Sequence, residues 1–245
     1  MRSAVFVLIL GFGLSGSVLA QEEAELEPAN NNVANVASLQ RGAKYFVNYC
    51  FGCHSAKYVR YNRMGQDLQL SEQQLIDNLM FTGEQPFDTM ANAMRPEDSV
   101  RWFGRSPPDL SLIARSRGTD YIYTFLRSFY AAPGRPTGVD NVVLPGTAMP
   151  HVLWKLQGVQ RPLYEGESEG EGGEHKVAGF ELVRAGELNA EEFDEVVRDI
   201  VNFLDYIGEP IKRERQQLGI RVIAFLLVFL LISYMLKREI WKDVK

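Results

Sequence analysis

Cys50-Phe51-Gly52-Cys53-His54 is the one stretch of this chain whose residue types and spacing specify a chemistry. A C-x-x-C-H run is an attachment signature for a c-type haem: two thiols form thioethers with the haem vinyl groups, and the adjacent histidine is carried beneath the iron. Two residues between the cysteines span neighbouring vinyls on one turn of chain. The competing readings are a thioredoxin-like dithiol, half of a zinc site, or a disulfide. Zinc takes about four ligands, and besides these two cysteines the chain offers only His54, His151 and His175.

A six-coordinate haem needs a second axial ligand, and a thioether opposite an imidazole raises the reduction potential relative to two imidazoles. Met149 is the best-placed candidate, because Leu144-Pro145-Gly146-Thr147-Ala148-Met149-Pro150 is a loop stiffened by Pro and Gly. Met90, Met94 and His151 are its rivals. A haem also carries two propionates, for which arginine is the natural partner. Arg115 and Arg117 follow the double proline Pro107-Pro108, itself stiff enough to pack flat against a macrocycle. For either arginine, residue type alone leaves a propionate contact and a solvated surface charge equally open.

Helices must position these groups. Ser38 can cap a helix from Leu39 to Cys50, with Leu39, Ala43, Phe46 and Tyr49/Cys50 on one face, which delivers the first thiol. Ser71 with Gln74 forms a capping box for a helix carrying Leu75, Ile76, Leu79 and Met80, ended by Thr82-Gly83. Residues 84–101, with Pro86 and Pro96, read as loop and short turns. Leu112 to Arg117 reads as a helix stopped by Gly118, and Asp120 as the cap of a helix from Tyr121 to Tyr130. Asn189 with Glu192 caps an amphipathic helix through Phe193, Val196, Val197, Ile200, Phe203, Leu204 and Ile207, which Gly208-Glu209-Pro210 ends.

The chain's 245 residues, 46% of them hydrophobic, suffice for one good core and a small extra module. The net charge of −5 conceals an asymmetry: between Gln21 and Pro210, 17 Lys/Arg stand against 28 Asp/Glu, a net of −11. The expected partner is therefore basic, and the charge argues against nucleic acid. Met1 to Ala20 has the n-region, apolar stretch and small-residue end of a secretory signal peptide, with cleavage after Ala20; a retained N-terminal anchor is the other reading. Residues 21–37 are acidic and Asn-rich, an expected flexible segment unless it drapes over a partner. Glu165 to Glu174 reads as a solvated loop or as an acidic docking patch, with His175 as an exposed bystander. Leu218 to Leu236 is nearly pure hydrocarbon and long enough for a transmembrane helix. Arg221 in its first turn can snorkel to the interface. The expected organisation is thus a haem domain over 38–210, a juxtamembrane linker over 211–217, a span over 218–236 and a cytoplasmic tail over 237–245.

Taken in order, several stretches resemble the cytochrome c1 family, the haem subunits of quinol:cytochrome c reductase (bc1) complexes of bacterial type. They are Arg41-Gly-Ala-Lys-Tyr-Phe-Val-Asn-Tyr-Cys50 into the haem signature, Pro107-Pro108-Asp-Leu-Ser-Leu-Ile-Ala-Arg115, Asp120-Tyr-Ile-Tyr123, Ala148-Met-Pro150, Asp199-Ile-Val-Asn-Phe-Leu204 ending at Glu209-Pro210, and the C-terminal anchor. The resemblance implies a mainly α fold: a cytochrome c-like haem domain with long irregular loops and one C-terminal transmembrane helix. It implies one covalently attached haem c, with Cys50 and Cys53 as thioether sites and His54 and Met149 as axial ligands. It also implies Arg117 as a propionate partner, Tyr121 as a second candidate for that role, and Pro108 lying against the haem. The implied partners are cytochrome b, a Rieske iron-sulfur protein as electron donor and a soluble or membrane-tethered cytochrome c as acceptor, in a dimeric complex. The place would be the bacterial inner membrane, with the haem domain in the periplasm and the C-terminus in the cytoplasm. The chain departs from the family where Phe103-Gly104-Arg105-Ser106 stands in place of an Asn/Ala-containing approach to the double proline, and at His151 after the ligand methionine. A free-standing anchored cytochrome feeding an oxidase, and a haem peroxidase with an open sixth position, are the alternatives.

Overall fold

The computed structural model describes residues 25–164 and 177–243. The expected signal peptide, the acidic stretch from Glu165 to Glu174 and His175 lie outside the described residues. The core is built on two helices distant in sequence, α1 (Val36–Tyr45) and α8 (Ala190–Gly208), which lie against each other. α8 starts at the expected capping box, Asn189 accepting from the Glu192 N–H and Glu192 from that of Asn189. Its buried face carries Val197, Ile200 and Phe203, and Phe203 packs against Phe46, just past the end of α1, with ring centres 5.4 Å apart. Gly42 makes the approach possible: a Cβ there would lie 2.1 Å from the Asp199 carbonyl oxygen. Beside this contact the buried Asp199 carboxylate accepts from Ser38 Oγ at 2.6 Å and from Arg41 Nε at 2.5 Å.

Between α1 and α8 run short elements: β1 (Ala56–Arg60), α2 (Tyr61–Asp67), α3 (Glu72–Leu79), β2 (Thr89–Met90), α4 (Pro96–Phe103), α5 (Ile113–Arg117), α6 (Thr119–Arg127), β3 (Phe129–Ala131), β4 (Val139–Asn141), α7 (Trp154–Gln157), β5 (Gly158–Tyr164) and β6 (Val177–Ala185). Among the described residues the strands form three two-stranded antiparallel ladders, β1 with β2, β3 with β4 and β5 with β6. The fold is mainly α, as expected, with irregular connections.

Several expectations need correction. The first helix is capped by Asn35, whose side chain accepts from the Ser38 N–H, because the Ser38 hydroxyl is taken by Asp199. After Tyr45 it widens into a π-turn, Phe46–Cys50, with the Phe51 N–H donating to the Phe46 carbonyl. Residues 84–101 are not all loop: Pro96 occupies the first turn of α4, where a missing N–H costs nothing, and Thr89–Met90 pairs with β1. Asp120 does not cap its helix; its carboxylate accepts from the Ala29 N–H at 2.9 Å. That helix ends at Arg127, since Phe129 to Ala131 is drawn into the ladder with β4.

The largest difference concerns residues 25–35, expected to be flexible. They form a strap across α6 and α8: the Glu27 N–H donates to Thr124 Oγ1, Arg198 Nε to the Ala29 carbonyl, Asn202 Nδ2 to the Asn32 carbonyl and Asn31 Nδ2 to Asp205. Composition counts apolar side chains, whereas this strap is held by backbone polar groups paired with side chains of the core helices.

α9 (Lys212–Ile240) follows α8 after a short break and absorbs the expected linker into one continuous helix. Its stretch Glu214–Ile240, 27 residues, is long and apolar enough to cross a membrane. At about 1.5 Å per residue it exceeds the roughly 30 Å of a bilayer core. A clasp sets the joint: Glu209 accepts from Arg215 of α9 and pairs with Arg115 of α5 at 3.0 Å, while Lys212 Nζ meets Asp205 at 2.8 Å.

Candidate haem site

The π-turn delivers Cys50, and the turn after it delivers Cys53 and His54, whose N–H groups both donate to the Cys50 carbonyl, at 3.0 and 2.9 Å. All three side chains line one cavity, together with Pro108, Arg117, Tyr121 and Met149. Every site residue implied by the family resemblance therefore lines a single cavity. The space between the walls, its open mouth included, is about 1330 Å³. Leu110, Ile113, Ile122, Phe125, Ile200 and Leu204 make the walls chiefly apolar.

His54 Nδ1–H donates to the Pro108 carbonyl at 2.7 Å. That bond selects the tautomer and leaves the Nε2 lone pair free to bind a metal. Burial lowers the His54 pKa, against smaller opposing effects of the Pro108 carbonyl and Asp109, so the ring is held neutral. Pro108 is fixed in turn, because the Leu110 N–H donates to the Ser55 carbonyl at 2.8 Å and the Lys57 N–H to Asp109 at 2.9 Å.

No disulfide joins Cys50 and Cys53. Burial, with a smaller contribution from Cys53 nearby, pushes the Cys50 thiol up to about 12, and burial also raises Cys53. A thioredoxin-like dithiol requires the opposite shift. Among the described residues no group of three His, Cys, Asp or Glu side chains could hold a metal ion.

Met149 arrives on a loop organised by two residues that sequence reading passed over. Asp140, buried and paired with Arg135, accepts from the Gly146 N–H at 2.7 Å; Asn141, fully buried, accepts from the Val143 and Leu144 N–H groups at 2.9 and 3.1 Å. An Asp-Asn pair ahead of a Gly/Pro loop is the available signal, since these side chains organise turns by bonding nearby N–H groups. The rival ligands are elsewhere. Met90 is fully buried opposite Ala56 in the β1–β2 ladder, and Met94 is not on the cavity. His151 is buried behind the loop, stacked on Phe129 at 5.2 Å, where desolvation lowers its pKa to about 4.

The two arginines of α5 separate cleanly. Arg115 is engaged by Glu209, whereas Arg117 lines the cavity with its guanidinium 5.5 Å from the Tyr121 ring centre. Arg105, which the sequence did not single out, lines it as well. The residues present fit a haem: an apolar slot, an imidazole oriented with Nε2 free, a thioether on a separate loop, two thiols, and cations for acidic substituents.

Comparison with known proteins agrees. The model of the Cytochrome C1 family matches residues 31–159 and 182–244. The chain is 46% identical over 244 residues to cytochrome c1 of Allochromatium vinosum, covering 100% of both chains. It is 41% identical over 223 residues to a Nitrosomonas europaea protein named ammonia monooxygenase gamma subunit, covering 91% of this chain and 90% of that one. To cytochrome c1 of Rhodospirillum rubrum it is 27% identical over 238 residues, covering 84% and 82%. With a conforming cavity and a family match across most of its length, this chain belongs to the cytochrome c1 family.

Proposed function

We propose that this chain is the membrane-anchored electron carrier of a quinol:cytochrome c reductase, holding one haem c covalently through Cys50 and Cys53. In this reading His54, through Nε2, and Met149 would hold its iron. Bound there, the haem supplies a one-electron iron couple. The observation that carries the reading is the convergence of Cys50, Cys53, His54 and Met149 on one apolar cavity.

The chain's own residues do the rest. The Pro108 carbonyl holds the His54 ring in the ligating tautomer. The apolar walls keep water out, which with the thioether ligand favours a high potential. Arg117 offers a cation to a propionate, with Tyr121 beneath its guanidinium. No nucleophile or general base is needed, because outer-sphere transfer makes no bond in this chain. The clasp at Glu209 joins the haem domain to α9, which fixes the height of the site above the bilayer.

The donor in this reading is a Rieske iron-sulfur subunit, the neighbour in the membrane is cytochrome b, and the acceptor is a soluble or tethered cytochrome c. The complex is dimeric. The signal peptide supports a periplasmic haem domain and a cytoplasmic tail from Lys237 to Lys245. Extraction of the tagged chain in mild detergent tests this: b-type haem and a Rieske signal should accompany it in fixed stoichiometry, with quinol-driven reduction of its haem. Recovery alone, or with an oxidase, would instead support a free-standing anchored shuttle.

A further inference from the structure

Arginines of the haem domain mostly hold carboxylates, as their acidic surroundings encourage: Arg41, Arg63, Arg115, Arg127 and Arg135 all do. The two that line the haem cavity differ. Among the described residues Arg117 has only its contact with the Tyr121 ring, and Arg105 has neither an ion pair nor a hydrogen bond. Two arginines without carboxylate partners, in a domain with an excess of carboxylates, line the one cavity whose expected occupant brings two.

The backbone places Arg105 there from both sides. α4 stops at Gly104, whose φ of 75° is the left-handed region a side chain disfavours, and the chain turns sharply into Arg105. Two residues later begins the double proline, tied to the site through the His54–Pro108 hydrogen bond. Arg105 is thus suspended between a helix stop and a pinned wall, while Arg117 comes from the end of α5.

We infer that Arg105 is a second carboxylate-binding arm of the site, so that Arg105 and Arg117 together hold the two haem propionates. The inference rests on the haem reading above. Each guanidinium so placed disfavours the extra positive charge of the oxidised iron and raises the midpoint potential, an effect that salt screens because the arm is exposed.

The test is a redox titration of the haem α-band in the detergent-solubilised full chain at low ionic strength, for wild type, R105Q, R105K, R117Q and R101Q. Arg101 pairs with Asp98 and lies off the cavity, so R101Q is the control. R105Q should carry wild-type amounts of attached haem with a lowered midpoint. R105K should recover most of the loss, and the gap between R105Q and wild type should shrink as salt is added. A wild-type midpoint in R105Q beside a lowered one in R117Q would overturn the assignment. R105A, titrated the same way, guards against a defect peculiar to glutamine and is held to the same outcome. Absence of haem staining in the wild-type chain after denaturing electrophoresis would defeat the haem reading itself, independently of Arg105.

Discussion

Replacing Gly42 by alanine puts a methyl group where α1 crosses α8. The added carbon would lie 2.1 Å from the Asp199 carbonyl oxygen and 2.8 Å from the Phe203 Cβ. Both neighbours are backbone or nearly so, and neither can rotate away. A carbon–oxygen contact needs about 3.3 Å, so the helices must part by about 1 Å. A gap of that size forfeits a quarter to a half of the dispersion well for the atoms facing it. The Phe46 and Phe203 rings, 5.4 Å apart at this junction, are a pair that loses contact. Overpacking of this kind costs roughly 1–3 kcal/mol, and loosening the Ser38 and Arg41 bonds to Asp199 adds roughly 1–2 kcal/mol. Alanine returns about 1 kcal/mol of helix propensity. The expected net loss is about 2 kcal/mol, with less haem attached because Cys50 is carried at the end of the displaced helix. Urea unfolding followed by far-UV circular dichroism measures the first effect and haem staining the second. Gly134→Ala is the control, since a Cβ there meets nothing within 4 Å. A Gly42→Ala midpoint indistinguishable from wild type would refute the close-packing argument.

Three further expectations follow from the site and its supports. Met149→Leu should keep its haem, held by Cys50 and Cys53, but lose the sulfur-to-iron charge-transfer band and show a lower midpoint; an intact band would reassign the sixth ligand. Glu209→Gln releases Arg115 and Arg215 at once, so trypsin should cut faster near Lys212 and Arg215 while haem content stays constant, and equal cutting rates would count against the clasp. Tyr206 donates to Asp67 at 2.7 Å, and burial first, then that bond, raises its pKa. A tyrosine raised in the fold lends stability that is complete below its unfolded pKa of about 10 and lost as pH climbs above it. Stability should therefore decline above about pH 10. Tyr45, Tyr61, Tyr123 and Tyr130 are raised in the same direction, so Tyr206→Phe should make the decline shallower without abolishing it, and an unchanged slope would exclude Tyr206 as a contributor.

Much of the site was legible because its chemistry is local. Cys50, Cys53 and His54 are neighbours in the C-x-x-C-H spacing that the proposed haem attachment calls for, and Met149 stands on a loop whose Pro and Gly advertise stiffness. The capping boxes at Ser71 and Asn189 were equally plain, each being a contact across three residues. What escaped was decided at a distance. Asp120 has the right residue type for a cap, yet its carboxylate binds Ala29 across 91 positions of sequence. Ser38 likewise yields its hydroxyl to Asp199, 161 positions away. A polar side chain has several possible partners, and local spacing ranks only those within one turn.

The sequence by itself determined the haem signature, the helical character, the C-terminal anchor and the family, because each is written in residue type and short-range order. The tertiary structure alone decided which arginine of α5 faces the cavity, why Met90 and His151 do not reach it, and how Asp140 and Asn141 present Met149. Gly42 shows the reason most sharply. In a lone helix it is a weak point that alanine would repair; against α8 it is the space that lets two helices meet and hold Cys50 at the site.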